Sequence, residues 1–224
     1  MLVEKIGSAA NFYKVGMELY AAAGMEIVSQ LSSFGKKIFL DLKLYDIGET
    51  VKRTTRQICR DGVVTFLTVH GSRPIMNAAV EGRAEAGADR QMKLLGVTVL
   101  TSLDEDDVRE EGYSIRLSEL LEIRVKTALE AGVDGVICSP LDVHRVRETA
   151  GPNLLLVTPG VRSRGAATDD QKRIATPAEA IRAGADYLVI GRQVTRAADP
   201  KAACEEILAE IAEEKGDAAL ASRL

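Results

Sequence analysis

The sequence predicts an α/β protein of the (β/α)8 TIM barrel class, formed by a single domain over residues 1–224. Seven strand patterns alternate with helix patterns along the chain, and no linker or change of composition interrupts them. The motif Ala-Gly-Ala/Val-Asp recurs immediately before two of these strands, at residues 131–134 and 183–186, which indicates a repeated helix-to-strand turn. A doubly wound sheet would need a glycine-rich phosphate-binding turn after its first strand, and the sequence contains none.

The composition fits one globular domain and excludes several classes of function. The 224 residues are 46% hydrophobic and 28% charged, and the net charge of −4 gives no basic surface for nucleic acid. No apolar run reaches the roughly 20 residues that span a membrane, and no secretory signal is visible. Three scattered cysteines and only two histidines favour a reducing cytoplasm and argue against a zinc site. We therefore expect a cytoplasmic protein that binds neither nucleic acid nor a membrane.

The first half of the chain predicts strand–helix pairs that follow the remnant of a helix. Residues 1–7 have the pattern of the last turns of an amphipathic helix that has lost its beginning. A short strand that carries Lys14 begins at Phe12, and a helix over residues 24–34 stops at Gly35. The next elements are a strand from Lys37, a helix over 47–61, a strand over 63–71, a helix that includes 78–88, and a strand over 94–102.

The second half continues the alternation. The acidic run 104–107 predicts a helix start, because carboxylates are stabilised at the positive end of a helix; a metal site is the alternative. Thr176, Pro177 and Glu179 have the spacing of a capping box with proline at the first helical position. The elements are a helix over 117–131, a strand over 134–140, a helix over 141–151, a strand over 154–160, a helix over 176–185, a strand over 186–192 and a terminal helix.

The strand that begins at Lys37 has charges on one face. Side chains alternate along a strand, so Leu40, Leu42 and Leu44 share a face that a helical layer would cover. Asp41 and Lys43 share the other face with Phe39, and Asp46 follows just past the strand. Buried charges are costly unless they are paired, so this pattern indicates either a functional site or a surface ion pair on an edge strand.

In a barrel of this class the active site lies at the carboxyl ends of the strands. Two lysines, two acids and an arginine are among the residues there, which indicates an anionic substrate. The residues at these ends are Lys14, Asp41, Lys43, Asp46, His70, Thr101, Ser102, Ser139, Thr158, Pro159, Gly160, Gly191 and Arg192.

Three features at these ends allow two interpretations each. Gly191-Arg192 is either a phosphate clamp or a turn glycine beside a surface arginine. The polar loop over residues 162–173, with Arg162 at its start, is either a lid over a phosphate or a solvated loop. For His70 we favour a hydrogen-bonded structural histidine over a functional one.

Nearly the whole chain resembles the bacterial orotidine 5′-phosphate decarboxylases. The pattern D-x-K-x-x-D, which spans Asp41 to Asp46, also occurs in related sugar-phosphate decarboxylases and synthases, but its combination with VTPGVR, DQKR and a terminal IGR is specific. The matching stretches are FYKVGMEL, FLDLKLYDI, LTVHGS, VTVLTS, DGVICSP, LLLVTPGVR, DQKR and TPAEAIRAGADYLVIGR.

This resemblance implies a barrel homodimer that converts orotidine 5′-monophosphate to uridine 5′-monophosphate and carbon dioxide without metal or cofactor. Lys14, Asp41 and Lys43 match the family's charged array, in which Lys43 would protonate C6. Asp46 matches the acid that reaches the partner's site. The implied substrate-binding residues are Thr101 and Ser102 at the pyrimidine, Gln171 and Arg192 at the phosphate with Arg162 and Gly191 beside them, Pro159 on the same rim, and Ile47 and Thr50 on the partner side.

The chemistry of the charged residues agrees with this assignment. Loss of carbon dioxide leaves a carbanion, and a fixed ammonium stabilises the developing charge and can then supply the proton. Nearby carboxylates disfavour the bound substrate carboxylate, which adds ground-state strain. Binding energy from the distant phosphate can close the lid and drive that strain.

One departure from the family concerns the beginning of the chain. Family members begin with a strand that carries an aspartate and a complete first helix, whereas this sequence begins inside that helix, so we expect the barrel to lack its first strand. A start upstream of Met1 or a truncated form would explain this. The alternative functions are a magnesium-dependent sugar-phosphate decarboxylase or synthase, and a truncated, non-catalytic barrel that binds nucleotide.

Overall fold

The structure is a computed structural model that describes residues 1–87, 91–163 and 174–215. The chain divides into two compact units. The N-terminal unit comprises Phe12–Thr98 and Ile123–Val136. The C-terminal unit comprises Met1–Asn11, Val99–Glu122 and Ile137–Leu224. The expectation of one domain over residues 1–224 stays a prediction.

Seven strands form one sheet whose order follows the order of the chain. The pairs β1–β2, β2–β3, β3–β4 and β6–β7 are parallel. Parallel neighbours need a crossover connection, which helices provide here. The predicted class of fold, a TIM-barrel-like alternation of parallel strands and helices, is therefore confirmed. The strands are β1 (Phe12–Gly16), β2 (Lys37–Leu44), β3 (Phe66–His70), β4 (Lys93–Val97), β5 (Gly135–Ile137), β6 (Leu155–Thr158) and β7 (Tyr187–Leu188).

The helices lie between and around the strands, as the sequence pattern predicts. None of the helices within the described residues is long and apolar enough to cross a membrane. The helices are α1 (Leu2–Ile6), α2 (Met17–Ser33), α3 (Gly48–Arg60), α4 (Arg73–Glu85), α5 (Glu105–Glu110), α6 (Leu117–Ala131), α7 (Val143–Ala150), α8 (Pro177–Arg182), α9 (Arg192–Thr195) and α10 (Pro200–Lys215), with a short 3-10 turn at Gly7–Ala9.

Two helix starts have the caps that the sequence predicts. The Asp104 carboxylate accepts hydrogen bonds from the N–H groups of Asp106 and Asp107, both at 3.1 Å. The Thr176 hydroxyl accepts from the N–H of Glu179 at 3.2 Å, and the Glu179 carboxylate accepts from the N–H of Thr176 at 2.9 Å. The acidic run is thus a helix start, because its first carboxylate satisfies backbone donors that the helix leaves free.

The core of the N-terminal unit lies around the middle of β3. Phe66 is 1% exposed, and its ring packs edge-on against Phe12 at 4.8 Å and Phe39 at 5.9 Å between centroids. Ile38, Leu40, Leu67, Leu94 and Leu95 are fully buried. Burial of these side chains holds β1 to β4 in register, because a slip by one residue would turn them out of the core.

The core of the C-terminal unit includes a separate cluster beside α5 and α6. Val99, Val108, Leu117 and Leu120 are buried together. Leu103, Tyr113 and Ile115 pack against them. This cluster anchors the turn that follows β4, where the sequence places Thr101 and Ser102.

Several predicted boundaries are wrong, among them that of β5, which contains three residues, Gly135–Ile137, instead of the predicted seven. Helix α2 begins at Met17, and Gly24 (φ 56°, ψ −147°) separates its two helical segments, so the predicted start at Gly24 is only the start of the second segment. Strand β4 ends at Val97 instead of Ser102, and β7 contains only two residues instead of seven. In both strands the apolar pattern continues past the last ladder hydrogen bonds, into segments that turn away.

Candidate active site

Three of the predicted charged residues lie together at the ends of β1 and β2. The Lys43 ammonium donates hydrogen bonds to both carboxylate oxygens of Asp41, at 2.9 Å each. The Lys14 ammonium lies 3.4 Å from Asp41 Oδ2. The Asp41 side chain is 13% exposed, whereas those of Lys14 and Lys43 are 35% and 34% exposed. One partly buried carboxylate is therefore held between two ammonium groups that solvent or a ligand can reach.

The electrostatics of this group favour an ionised Asp41. Burial alone would raise the pKa of the Asp41 carboxyl, because a charged group loses hydration there. The charges of Lys43 and Lys14, and hydrogen bonds from Lys43 and Thr68, outweigh burial and lower the pKa below its usual value. The carboxylate is therefore negative at neutral pH.

The backbone at Lys43 is unusual. Lys43 has φ 49°, and it is the one residue other than glycine with positive φ among residues 1–87, 91–163 and 174–215. The register between β2 and β3 shifts here, since Leu40 pairs with Leu67 but Leu44 pairs with Val69. Bulges of this kind redirect side chains and are frequent beside active sites. This bulge directs the Lys43 ammonium to the Asp41 carboxylate.

The bulge also corrects the predicted faces of β2. Leu40 is fully buried, but Leu42 and Leu44 are only half-buried, and Phe39 on the charged face is 5% exposed. Regular alternation would bury all three leucines. The positive φ at Lys43 interrupts that alternation, so the predicted apolar face ends at Leu40.

Thr68 completes the group, and the sequence analysis did not single it out. Its hydroxyl donates to Asp41 Oδ1 at 2.9 Å and accepts from the Lys43 N–H at 2.9 Å. Thr68 is fully buried on β3. A threonine within the otherwise apolar strand FLTVH is a usable signal, because a buried hydroxyl requires a hydrogen-bond partner.

His70 has a structural role of a different form from the one predicted. Its ring stacks on Tyr45, with centroids 4.1 Å apart and planes at 22°. Its Nδ1 is buried and has no hydrogen-bond partner among the described residues. Burial, and next to it the nearby Arg124 cation, lower the pKa of His70, which favours the neutral ring. The imidazole ring therefore packs against Tyr45 by stacking.

The predicted partner-side residues follow β2 and are exposed. The Asp46 carboxylate is exposed and accepts a hydrogen bond from the N–H of Ile47 at 2.6 Å. Asp46 forms no ion pair with a cation within the part of the chain that the structure describes. Ile47 is 77% exposed at the start of α3, and Thr50 is exposed in its first turn. Asp46 therefore takes no part in the ion pairs that join Lys14, Asp41 and Lys43.

The other predicted residues belong to the C-terminal unit. Thr101 is buried and Ser102 is exposed in the turn after β4, and Pro159 is half-buried directly after β6. Arg162 is 7% exposed. Its N–H donates to the Ala175 carbonyl at 3.0 Å, and Val161 and Ala175 form a β-bridge. The residues that flank the predicted lid are therefore paired with each other, whereas residues 164–173 lie outside the described residues. Gln171 lies outside the described residues.

Gly191 and Arg192 begin the short helix α9. Gly191 is the N-cap, and Arg192 is half-buried in the first turn. The next residue, Gln193, accepts a hydrogen bond from the N–H of Ser163 at 3.1 Å, a contact that sequence analysis did not predict. The segment after β6 and the segment after β7 therefore meet within this unit.

The charged group offers cations and a hydrogen-bonded carboxylate, but no cluster that would hold a metal. No three or more His, Cys, Asp or Glu side chains within the described residues have an arrangement suited to a metal ion. Two ammonium groups beside a fixed carboxylate can bind an anion and can deliver a proton to it.

Comparisons with known proteins give one consistent result. A model of the family described as "Orotidine 5'-phosphate decarboxylase / HUMPS family" matches residues 1–207. The chain is 50% identical over 214 residues to an orotidine 5′-phosphate decarboxylase of Rhodopseudomonas palustris strain HaA2, which covers 96% of this chain and 89% of the relative. It is 49% identical over 211 residues to one of Methylobacterium nodulans, which covers 94% of this chain and 89% of that relative.

A solved structure agrees with these relatives. The crystal structure of orotidine 5′-phosphate decarboxylase from Lactobacillus acidophilus superposes with a TM-score of 0.81 at 38% identity, over 94% of this chain and 91% of that one. The match by family model covers far more than half of the sequence. This chain therefore belongs to the orotidine 5′-phosphate decarboxylase / HUMPS family.

Proposed function

We propose that this protein is an orotidine 5′-phosphate decarboxylase, which converts orotidine 5′-monophosphate to uridine 5′-monophosphate and carbon dioxide in pyrimidine biosynthesis. The observation that carries the proposal is the group formed by Lys14, Asp41 and Lys43, in a chain about half identical to relatives of that name. This group has the charges that the reaction needs.

Lys43 is the proton donor in the proposed mechanism. The bond between C6 and the substrate carboxylate breaks, and its electron pair stays on C6 while carbon dioxide leaves. The Lys43 ammonium, which Asp41 already holds at 2.9 Å, stabilises the developing negative charge and then transfers its proton to C6. The neutral amine regains a proton from water.

Asp41 and Lys14 prepare the site for this step. Because the Asp41 carboxylate is ionised and partly buried, it repels a substrate carboxylate placed beside it, and departure of carbon dioxide relieves the repulsion. Lys14 also pairs with Asp41 and offers a second cation to the substrate. Both residues act mainly on the energy difference between ground state and transition state.

The remaining substrate contacts are carried over from the family resemblance. We assign Thr101 and Ser102 to the pyrimidine, and Gln171 and Arg192 to the phosphate with Arg162 and Gly191 beside them. Pro159 lies on the same rim. Arg162 is buried and Arg192 is half-buried at the start of α9, and the hydrogen bond between their neighbours Ser163 and Gln193 supports their assignment to one subsite.

A homodimer without metal or cofactor is part of the proposal. Asp46, Ile47 and Thr50 are exposed at the end of β2, and there they are available to a partner's substrate. The lysine donor replaces the Lewis acid that a metal would supply. The buried free cysteines, Cys59, Cys138 and Cys204, support a reducing cytoplasm.

The second candidate is a magnesium-dependent sugar-phosphate decarboxylase or synthase. The observation in its favour is that the description of the matching family contains a second name, HUMPS, beside orotidine 5′-phosphate decarboxylase. The relatives at about 50% identity carry only the first of these names.

The test is a turnover assay on purified protein with EDTA present. Orotidine 5′-monophosphate is followed by its absorbance, and uridine 5′-monophosphate is identified by chromatography. We expect full turnover in EDTA. Turnover of a sugar phosphate that requires added magnesium, without turnover of the nucleotide, would establish the second candidate instead.

A further inference from the structure

The bulge in β2 places three residues opposite a single residue of β3. Leu40 pairs with Leu67 and Leu44 pairs with Val69, so Asp41, Leu42 and Lys43 together face only Thr68. Two of these three residues are the proposed catalytic pair. The geometry of the proposed proton donor and its carboxylate therefore depends on how this mismatch is held in place.

The Thr68 side chain fills the gap in the ladder. Its hydroxyl oxygen accepts the Lys43 N–H at 2.9 Å and gives its single proton to Asp41 Oδ1 at 2.9 Å. Both ends of the bulge are thus tied to one buried oxygen atom. The bond to the carboxylate leaves that oxygen free to accept the amide, so the two hydrogen bonds support each other.

We propose that Thr68 is a positioning residue for the decarboxylation: its hydroxyl fixes the positive-φ backbone of Lys43 and the carboxylate of Asp41 in one arrangement, so that the ammonium meets C6 in the right place. This inference rests on the proposed function. Thr68 contacts the Lys43 N–H and the Asp41 carboxylate, and it acts through these two residues.

The Thr68 hydroxyl stabilises the bulge through its two hydrogen bonds and not only by packing. Without it, the Lys43 N–H and one Asp41 oxygen lose their partners in a mostly buried place, where water cannot replace them freely. A left-handed backbone at a lysine is unfavourable by itself and relaxes when its tether is lost. A small relaxation at Lys43 moves the ammonium at the end of a long side chain, and misplacement by about 1 Å can lower a rate about 100-fold.

The chain contains a matched control at the other end of the same strand pair. The Thr65 hydroxyl accepts a hydrogen bond from the N–H of Ile38 at 3.3 Å. Thr65→Val and Thr68→Val therefore remove the same kind of bond between the same two strands. Only the second change affects the bulge that carries Asp41 and Lys43.

The experiment compares kcat and KM of Thr68→Val, Thr68→Ser and Thr65→Val with those of the unchanged protein. We expect Thr68→Val to lower kcat about 10- to 100-fold with KM within about threefold, because the hydroxyl acts on the donor and not on substrate binding. Thr68→Ser keeps the hydroxyl and stays within about threefold. Thr65→Val keeps the kcat of the unchanged protein.

A second measurement does not depend on activity. In Thr68→Val the Lys43 amide has no acceptor, so its hydrogen exchange becomes at least about tenfold faster, whereas Thr68→Ser retains protection. Should Thr68→Val fail to fold, Thr68→Ala removes the hydroxyl without branching and takes its place.

The outcomes separate this inference from the proposed function. A protein without turnover of orotidine 5′-monophosphate would overturn the proposed function, and amide exchange at Lys43 would still decide whether Thr68 holds the bulge. An active protein in which Thr68→Val matches Thr65→Val in kcat, or in which Thr68→Ser fails to restore kcat, would overturn the role of the hydroxyl.

Discussion

At the scale of single residues, Asp41 determines the electrostatics of the charged group. Its side chain is the least exposed of the three, and among the described residues it is the only carboxylate that contacts both Lys14 and Lys43. Burial opposes its ionisation, but the two ammonium groups outweigh burial and lower its pKa. The ion pairs at Asp41 therefore contribute to the stability of the fold as well as to the site.

The lowered pKa of Asp41 predicts a specific dependence of stability on pH. A carboxyl whose pKa is lower in the folded than in the unfolded state stabilises the fold above the unfolded value. That contribution is lost as pH falls below the reference value of 3.8 and through the folded pKa. We expect the difference in unfolding free energy between the unchanged protein and Asp41→Asn to be constant from pH 7 to about 5 and to change only below about pH 4.

Urea unfolding at a series of pH values measures this difference. Asp61→Asn is a suitable control, because Asp61 is exposed at the end of α3. A difference for Asp41→Asn that already changes between pH 7 and 5 would contradict the lowered pKa.

The sequence predicts part of the charged group but not all of it. Alternation along β2 and the strand ends placed Lys14, Asp41 and Lys43 at one edge, and the structure brings these three together. Thr68 was missed because threonine is common in strands for its branched shape alone. Its role depends on the shifted register between β2 and β3, and no local pattern in either strand encodes that shift.

At the scale of elements, the recurrent Ala-Gly-Ala/Val-Asp motif is a fixed helix-to-strand connection. In the C-terminal unit, Asp186 ends the motif, and its N–H donates to the Leu156 carbonyl at 2.9 Å while its carboxylate accepts from the Leu156 N–H at 2.8 Å. In the N-terminal unit, Asp134 makes the same two contacts with Leu94 at 3.0 and 2.8 Å. The weak repeat in the sequence therefore corresponds to a repeated structure.

Each motif aspartate also has an arginine partner on a preceding helix. Arg83 of α4 pairs with Asp134, and Arg147 of α7 pairs with Asp186 at 2.6 Å. Arg147 additionally donates to the carbonyls of Gly151, Leu154 and Gly184, at 2.7, 2.8 and 2.9 Å. One guanidinium thus satisfies carbonyl groups at the ends of two helices, where the backbone has no partner of its own.

We expect Arg147→Met to lower the free energy of unfolding by about 2–3 kcal/mol. Removing the guanidinium takes away the charged partner of Asp186 and the donor to three carbonyls, although partial exposure of the ion pair moderates the loss. Urea denaturation measures the effect. Arg145→Met, at an exposed neighbour on the same helix, should change stability by less than about 0.5 kcal/mol.

Equal stability of the two variants would show that the Arg147 contacts do not hold the connection between helix and strand.

The arginine partners were not predicted, because they lie 39 and 51 positions from their aspartates and only the fold brings them together. The length of β7 was not predicted either, because it depends on pairing with β6, which extends over only two residue pairs.

At the scale of the whole molecule, the proposed homodimer would place the end of β2 against a second copy of the chain. Tyr45 and Ile47 are large apolar residues that are 71% and 77% exposed, and they flank Asp46. Contiguous exposed apolar side chains commonly mark a protein interface. Together with the family resemblance, this supports a homodimer in which Asp46 acts in the partner's site.

A dimer with shared sites predicts that two inactive variants complement each other. Lys43→Ala and Asp46→Asn each damage every site of their own homodimer. In a mixed dimer, one site contains both changes, and the other combines an intact Lys43 with the partner's intact Asp46. Random exchange of equal amounts should therefore restore about one quarter of the sites.

Turnover after mixing and subunit exchange, measured per total subunit, tests this arrangement. Each variant alone, treated in the same way, is the control. A mixture no more active than the sum of its parts would show that Lys43 and Asp46 act within the same protomer, or that the protein does not form this dimer.

In the proposed reaction the Lys43 ammonium stabilises the negative charge that develops at C6 and then protonates it. The most direct measurement compares turnover of orotidine 5′-monophosphate by the unchanged protein and by Lys43→Ala, with Lys37→Ala, at the exposed start of β2, as the matched lysine control. Calorimetry with uridine 5′-monophosphate shows whether each variant still binds nucleotide. We predict at least about a 1,000-fold loss for Lys43→Ala, with retained nucleotide binding, and none for Lys37→Ala. A Lys43→Ala variant that keeps turnover within tenfold, or an unchanged protein that binds nucleotide without turnover, would contradict the claim.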